Sequence, residues 1–273
     1  MSSAHKHLIL ELQNIGFRYY RDRPFIETLT FHVDDGEFIG LLGANGSGKS
    51  TILRLASGLL KPTDGSIKLW GKPLDSYRNK DRAKLLCYLP QLLDITMPFK
   101  VRELVTMGLY PYEILPELTV DEALEMVGLQ EKSESYIATL SGGERRRAFI
   151  AMTLLQGAGL LLLDEPMANL DIKYQMEIQR LLRELKEKKN ISIIMALHDI
   201  NIALQFEKVM LIKDGRILGI GSPEEVLTGR LLKEAFDVSI EVQKDSEGAY
   251  IRYENNPYKG EKSDRTSDSS PLI

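Results

Sequence analysis

The run Gly43-Ala44-Asn45-Gly46-Ser47-Gly48-Lys49-Ser50-Thr51 spaces three glycines, a lysine and three hydroxyls as a phosphate-gripping loop requires. Glycines let the backbone curl so that its N–H groups converge on an anion, and a helix opening near Lys49 adds its positive dipole end. Lys49 is suited to the β- and γ-phosphates of a nucleoside triphosphate, Ser50 to Mg²⁺, and Thr51 to a neighbouring phosphate oxygen. Further along, Asp164 and Glu165 close an apolar run as adjacent carboxylates. Asp164 is suited to hold Mg²⁺, in part through water, which leaves Glu165 free to polarise an attacking water. His198 ends a second apolar run and is placed to sense or orient the γ-phosphate.

Ser141-Gly142-Gly143-Glu144 opens a helix. Ser141 and Glu144 have capping-box spacing, which by itself explains both residues. It does not explain two glycines in a first helical turn, where each costs up to ~1 kcal/mol relative to alanine. An open backbone at a positive helix end argues for a second phosphate-binding site. Tyr19 or Tyr20 follows a strand pattern and offers a face on which a base could stack. An ordinary strand-edge tyrosine is the plainer reading of that local sequence.

The elements that must position these groups follow from periodicity. Residues 38–42 and 160–163 are continuous apolar runs and 191–197 is one broken only by Ser192, the pattern of strands buried on both faces, and ligands collect at the carboxyl ends of such strands. Residues 8–33 alternate around turns and read as an antiparallel β-region of three strands, the second ending at Tyr19 or Tyr20. From about 92 to 139 the spacing becomes helical, with Pro111 and Pro116 between two segments. Asp171 is placed to cap the helix beginning at Ile172. Asp214-Gly215 between two apolar runs marks a hairpin, and a last hairpin precedes a polar tail.

This outlines an α/β fold of one domain over 1–255. Its core is 8–90 and 140–236, with a helical insertion at about 91–139, a terminal hairpin at 237–254 and a disordered tail at 255–273. A net charge of −4 gives no overall positive field to recommend nucleic acid as a partner. The single cysteine, Cys87, makes no internal disulfide and reads as a small buried apolar residue. Residues 1–7 lack the apolar centre of a signal peptide, and the apolar runs fall far short of the ~18 residues of a spanning helix. Any membrane role is therefore peripheral. His5 and His7 read as part of a solvated terminus.

The order GANGSGKST, Pro90-Gln91, LSGGE, LLLLDEP, Ala168-Asn169-Leu170-Asp171 and Leu197-His198-Asp199 resembles the ATP-binding subunits of ABC transporters. The resemblance implies a P-loop ATPase core of mixed, largely parallel sheet with an N-terminal antiparallel β-region and an inserted helical subdomain. It implies ATP and Mg²⁺ as ligands, Tyr19 as the adenine-stacking aromatic, and Gln91 as a hinge that contacts Mg²⁺. It makes Glu165 the catalytic base and His198 the switch. Ser141, Gly142 and Gly143 would meet the γ-phosphate held by the P-loop of a second copy. The implied partners are that second copy and polytopic permease subunits, with a substrate-binding protein in the full system, at the cytoplasmic face of the membrane. Within the family the chain looks most like importers of iron chelates, haem and cobalamin, through stretches 107–112, 170–175 and 196–204. It departs at Leu109, where that group usually carries arginine, and it is short between Tyr112 and Thr119. Transport of another substrate, such as zinc or manganese, and non-transport ATPase work on DNA or ribosomes are the alternatives.

Overall fold

The computed structural model describes residues 7–20, 22–91, 98–168, 170–245 and 248–253. The expected tail, His5, the first residues of the helical insertion and Asn169 lie outside them.

A six-stranded sheet forms the centre, built from β3 (Phe38–Leu42), β6 (Leu86–Leu89), β7 (Leu160–Asp164), β8 (Ser192–Leu197), β9 (Lys208–Lys213) and β10 (Arg216–Gly221). Its order is β10-β9-β3-β8-β7-β6, parallel throughout except at the β9/β10 hairpin. Two-sided burial explains the continuous apolar runs. In β3, Phe38 and Leu42 join one core while Ile39 and Leu41 join the other, and Ile193, Met195 and Leu197 of β8 split from Ile194 and Ala196 in the same way.

A second, antiparallel sheet of order β2-β1-β4-β5 covers one of these cores, with β1 at Leu8–Phe17, β2 at Ile26–Asp34, β4 at Asp64–Leu69 and β5 at Lys72–Pro73. Residues 8–17 are one strand rather than the two expected. The pairing slips by bulges between Leu12 and Ile15, where Asn14 has a φ of 51°, so the apolar alternation breaks without ending the strand. Tyr19 therefore lies beyond the strand end. The helix α1 (Lys49–Ser57) packs into the same core through Ile52, Leu53, Leu55 and Ala56.

The other core is roofed by helices α3 (Val101–Thr106), α4 (Val120–Met126) and α5 (Gly142–Gln156), and by α6 (Ile172–Lys189). A short α2 (Asn79–Leu85) leads into β6, while α7 (Ile200–Ala203), α8 (Pro223–Val226) and α9 (Gly229–Phe236) flank the β9/β10 end. A hairpin of β11 (Ile240–Asp245) and β12 (Gly248–Tyr253) ends the described chain. Cys87 is buried, donates its thiol to Gln156 Oε1 at 3.1 Å, and has its pKa pushed up to about 11 by burial. No helix among the described residues is long and apolar enough to cross a membrane.

Candidate nucleotide site

Parallel register brings four chain segments to one sheet edge. Leu42 pairs Leu197, Asp164 pairs Ala196, and Leu89 pairs Leu163, so the residues that follow each strand emerge side by side. The P-loop, His198, Glu165 and Gln91 are those residues.

The loop is built to approach an anion. Gly48 has a φ of 109°, a backbone state that L side chains rarely adopt, and it leads directly into α1. A Cβ on Gly43 would stand 2.4 Å from the Ile212 carbonyl, so the loop lies flat on β9. Lys49 is buried and folds back over the loop, donating to the Gly43 carbonyl at 2.8 Å and the Ala44 carbonyl at 3.1 Å. Its ammonium stands 3.7 Å from Glu165 Oε1. Burial lowers the Lys49 pKa, and the neighbouring Glu165 and Asp164 carboxylates oppose that shift. Ser47 Oγ is buried without a hydrogen-bond partner among the described residues, an orphan hydroxyl in the wall of the cradle.

Ser50 Oγ donates to Asp164 Oδ1 at 3.0 Å, and Tyr88 OH donates to Asp164 Oδ2 at 3.2 Å. Asp164 is buried, which raises its pKa against the pull of those two donors. Gln91 Nε2 donates to Glu165 Oε2 at 2.8 Å, and His198 Nδ1 lies 3.8 Å from that same oxygen. Glu165 itself has a φ of 47°, left-handed for a non-glycine residue, a strain of ~1–2 kcal/mol. The cleft over these groups has a volume of about 480 Å³ and is lined by Gly46, Lys49, Ser50, Gln91, Glu165 and His198 among others. A wider one of about 1040 Å³ shares Phe25 and Gly46 with it and contains Tyr19 and Tyr20. Together they offer a polar end and an aromatic end on either side of the glycine loop.

At the aromatic end the two tyrosines differ. Tyr19 is 46% exposed, edge-on to Phe17 at 4.8 Å and to Phe25 at 5.2 Å, with its hydroxyl 2.8 Å from Thr51 Oγ1. Tyr20 is 82% exposed. Asp171 occupies the position before α6, yet its carboxylate makes no capping hydrogen bond, contrary to the expectation drawn from its place in the sequence. Asp199 does cap, accepting from the Asn201 N–H at 2.8 Å.

Ser141, Gly142, Gly143 and Glu144 are not among the residues lining the cleft. They form the start of α5 as the spacing requires. Ser141 Oγ accepts from the Glu144 N–H at 3.3 Å, Glu144 Oε2 accepts from the Ser141 N–H at 3.0 Å, and Lys132 pairs with Glu144 Oε1. A Cβ on Gly142 would meet nothing within 4 Å, so this helix end opens to solvent.

Two groups escaped the sequence reading. Tyr88 and Arg146 both bond to the Asp164-Glu165 segment, through a carboxylate in one case and backbone carbonyls in the other. The available signal for Arg146 was its place three and four residues before the buried Phe149 and Ile150, on the inward stripe of α5.

Residues 26–168 match the model of the family described as ABC transporter. The chain belongs to the ABC transporter family. Among its ABC relatives it is 38% identical over 255 residues to the petrobactin import ATP-binding protein FpuC of Bacillus anthracis, covering 90% of this chain and 94% of that one. It is 38% identical over 244 residues to the iron(3+)-hydroxamate import ATP-binding protein FhuC of Bacillus subtilis, covering 86% and 90%. It is also 38% identical over 250 residues to the hemin import ATP-binding protein HmuV of Rhodopseudomonas palustris, strain HaA2, covering 88% and 95%. Among solved structures, a metal-chelate type ABC transporter in an inward-facing conformation superposes with a TM-score of 0.74 at 25% identity, covering 90% of this chain and 96% of that one. A dimeric ABC transporter cassette, MJ0796, shares the fold at a TM-score of 0.72 and 24% identity, covering 79% and 99%. As an ABC cassette this chain is an ATP-binding, ATP-hydrolysing subunit.

Proposed function

We propose that this single-domain ATPase energises an importer of ferric siderophores, haem or cobalamin, working as a pair of identical copies at the cytoplasmic face of the membrane. The observation that carries the catalytic part is the convergence of Lys49, Ser50, Gln91, Asp164, Glu165 and His198 on one sheet edge while the Ser141-Gly142-Gly143 helix start lies outside their cleft. A site of this shape is half a site. A second copy, facing this one, supplies its own helix start to the γ-phosphate and receives the same in return.

In each half, Gly43, Ala44, Asn45, Gly46, Ser47, Gly48 and Lys49 cradle the phosphates, with Thr51 beside them. Tyr19 carries the adenine, an assignment supported over Tyr20 by the bracing of its ring and hydroxyl. The orphan Ser47 hydroxyl, the open space beside Gly46 and the Ser50–Asp164 pair suit a triphosphate with a hard cation. Among the described residues no three His, Cys, Asp or Glu side chains are grouped to hold a metal alone, and the groups that would hold the cation here are Ser50, Asp164 and Gln91. When bound, Mg²⁺ neutralises charge on the phosphate oxygens. Glu165 accepts the proton of the attacking water, Gln91 holds its carboxylate by the hydrogen bond at 2.8 Å, and His198, whose Nδ1 stands 3.8 Å from the same oxygen, senses the γ-phosphate.

The permease attaches at the helical insertion, whose Tyr110, Ile114 and Leu115 are exposed, and a substrate-binding protein delivers the cargo on the far side. The relatives' printed substrates, petrobactin, iron-hydroxamate and hemin, support the cargo class. The test is reconstitution with the copurifying polytopic membrane protein, ranking cargo by stimulation of ATP hydrolysis. A ferric chelate, haem or cobalamin should stimulate most. Stimulation by zinc or manganese alone would replace the cargo assignment, and the lack of any membrane partner would replace transport itself.

A further inference from the structure

We infer that Arg146 is a positioning residue that ties the Ser141-Gly142-Gly143 helix start to the hydrolytic carboxylate of the same chain, and so couples the two nucleotide sites of the paired assembly. The inference rests on the two-copy reading above. Arg146 is 5% exposed, in the second turn of α5. Its guanidinium has five N–H groups, and each meets a backbone carbonyl: Nε to Pro166 at 3.1 Å, Nη1 to Pro90 at 2.9 Å and Gln91 at 2.8 Å, Nη2 to Asp164 at 2.8 Å and Glu165 at 2.8 Å. No donor is left over.

The acceptors are informative. They belong to two segments only, the turn that carries Gln91 and the turn that carries Glu165, both of which leave β-strands at the nucleotide edge. Asp164 and Glu165 present successive carbonyls to one nitrogen, and Glu165 is the residue with left-handed φ. A rigid planar cation that takes both carbonyls holds that unfavourable turn in the one shape that points the carboxylate back toward Gln91 and Lys49. A lysine, with three donors on a flexible stem, cannot span these acceptors. Burial pushes the Arg146 pKa down to about 10, so the cation persists at neutral pH, and five charge-assisted bonds offset its removal from water.

The backbone of α5 is continuous from Gly142 to Gln156, so any shift of its first turn moves Arg146 with it. In the proposed pair, that first turn contacts the nucleotide held by the other copy. Occupancy of one site therefore reaches Glu165 and Gln91 of the opposite site through a single side chain, with no relay of loosely packed groups.

The test uses the full chain with its membrane partner. Arg146→Lys and Arg146→Gln should each bind a fluorescent ATP analogue within about 2-fold of the parent and show an unchanged KM. Their kcat should fall ~10–100-fold, and the Hill coefficient for ATP should drop toward 1. A kcat and Hill coefficient equal to the parent's would overturn the inference, as would a fall in ATP affinity that tracks a lower melting temperature, since that is the mark of a purely structural role. Should both variants fail to fold, the parent chain decides by NMR. Restrained rotation predicts separately observable Arg146 Nη protons that shift when ATP closes a Glu165→Gln pair, and a single averaged, ATP-insensitive signal overturns the idea. A Glu165→Gln enzyme with normal turnover would instead remove the catalytic assignment beneath it, which keeps the two failures apart.

Discussion

The two candidate phosphate-binding helix starts are built on opposite plans. At α1 the loop is packed hard against β9, its lysine is buried and bonded back onto the loop, and even its hydroxyls are drawn into the protein. At α5 the first turn is capped by Ser141 and Glu144 and then left open, with free space where a Gly142 side chain would stand. The difference teaches where the work of recognition is done. On the proposed reading, the first start holds its ligand whether or not a second copy is present, and the second has nothing to hold until one arrives.

That contrast is most sharply tested at Glu165. In the Glu165→Gln variant ATP binding should persist, turnover should fall by ~10²–10⁴-fold, and a closed pair should accumulate, visible by size-exclusion chromatography with ATP. Normal turnover would move the base elsewhere. The next largest effect separates the two starts directly. Ser141→Arg should leave the ATP affinity of the isolated chain unaltered while hydrolysis drops by ~10²–10³-fold, whereas Lys49→Ala should abolish binding; micromolar affinity retained in Lys49→Ala would erase the distinction. At the aromatic end, Tyr19→Ala should weaken ATP binding by ~1–3 kcal/mol and Tyr20→Ala should leave it unaffected. Equal losses would mean that bracing by Phe17, Phe25 and Thr51 does not select the platform.

The smallest effect concerns stability without a divalent cation. Burial raises the Asp164 pKa, so the native state holds that proton more tightly than the unfolded chain, and stability falls as pH climbs from the unfolded value through the raised one. Asp164→Asn should therefore melt at a higher temperature than the parent at pH 7, with the gap closing as pH is lowered to the ordinary aspartate range near ~3.9. A gap of the same size at both ends of that range would show that the carboxylate's burial is not its source.

Much of this was readable from residue types because parallel strands buried on both sides leave an unmistakable trace. Residues 38–42 and 160–163 are apolar without interruption, the first running straight into the glycine loop and the second into Asp164, so the strands and the edge they share can be inferred together. The first strand reads as two because a bulge at Asn14 shifts the inside-outside alternation, and local pattern cannot distinguish a slip from an ending. Asp171 stands in a capping position without capping, since position in a motif does not determine which way a carboxylate turns. Tyr88 and Arg146 leave no trace of their bonding in the local pattern for a related reason. Their partners are carbonyls and carboxylates brought near by tertiary packing, from segments up to 76 residues away in the case of Tyr88. Sequence spacing names the groups that will meet a ligand more readily than those that hold such groups still.

The P-loop strand β3 lies between β8 and β9 in the central sheet, and the Ser47 carbonyl accepts from the Gly215 N–H at 2.8 Å in the hairpin beyond them. All three supports are encoded more than 140 residues downstream of the loop they steady. During translation, then, the glycine loop leaves the ribosome well before the two strands and the hairpin that flank it. Its competence for nucleotide is among the last properties the nascent polypeptide acquires, and a truncated product that ends before Ser192 should emerge from the ribosome with an intact motif and no affinity.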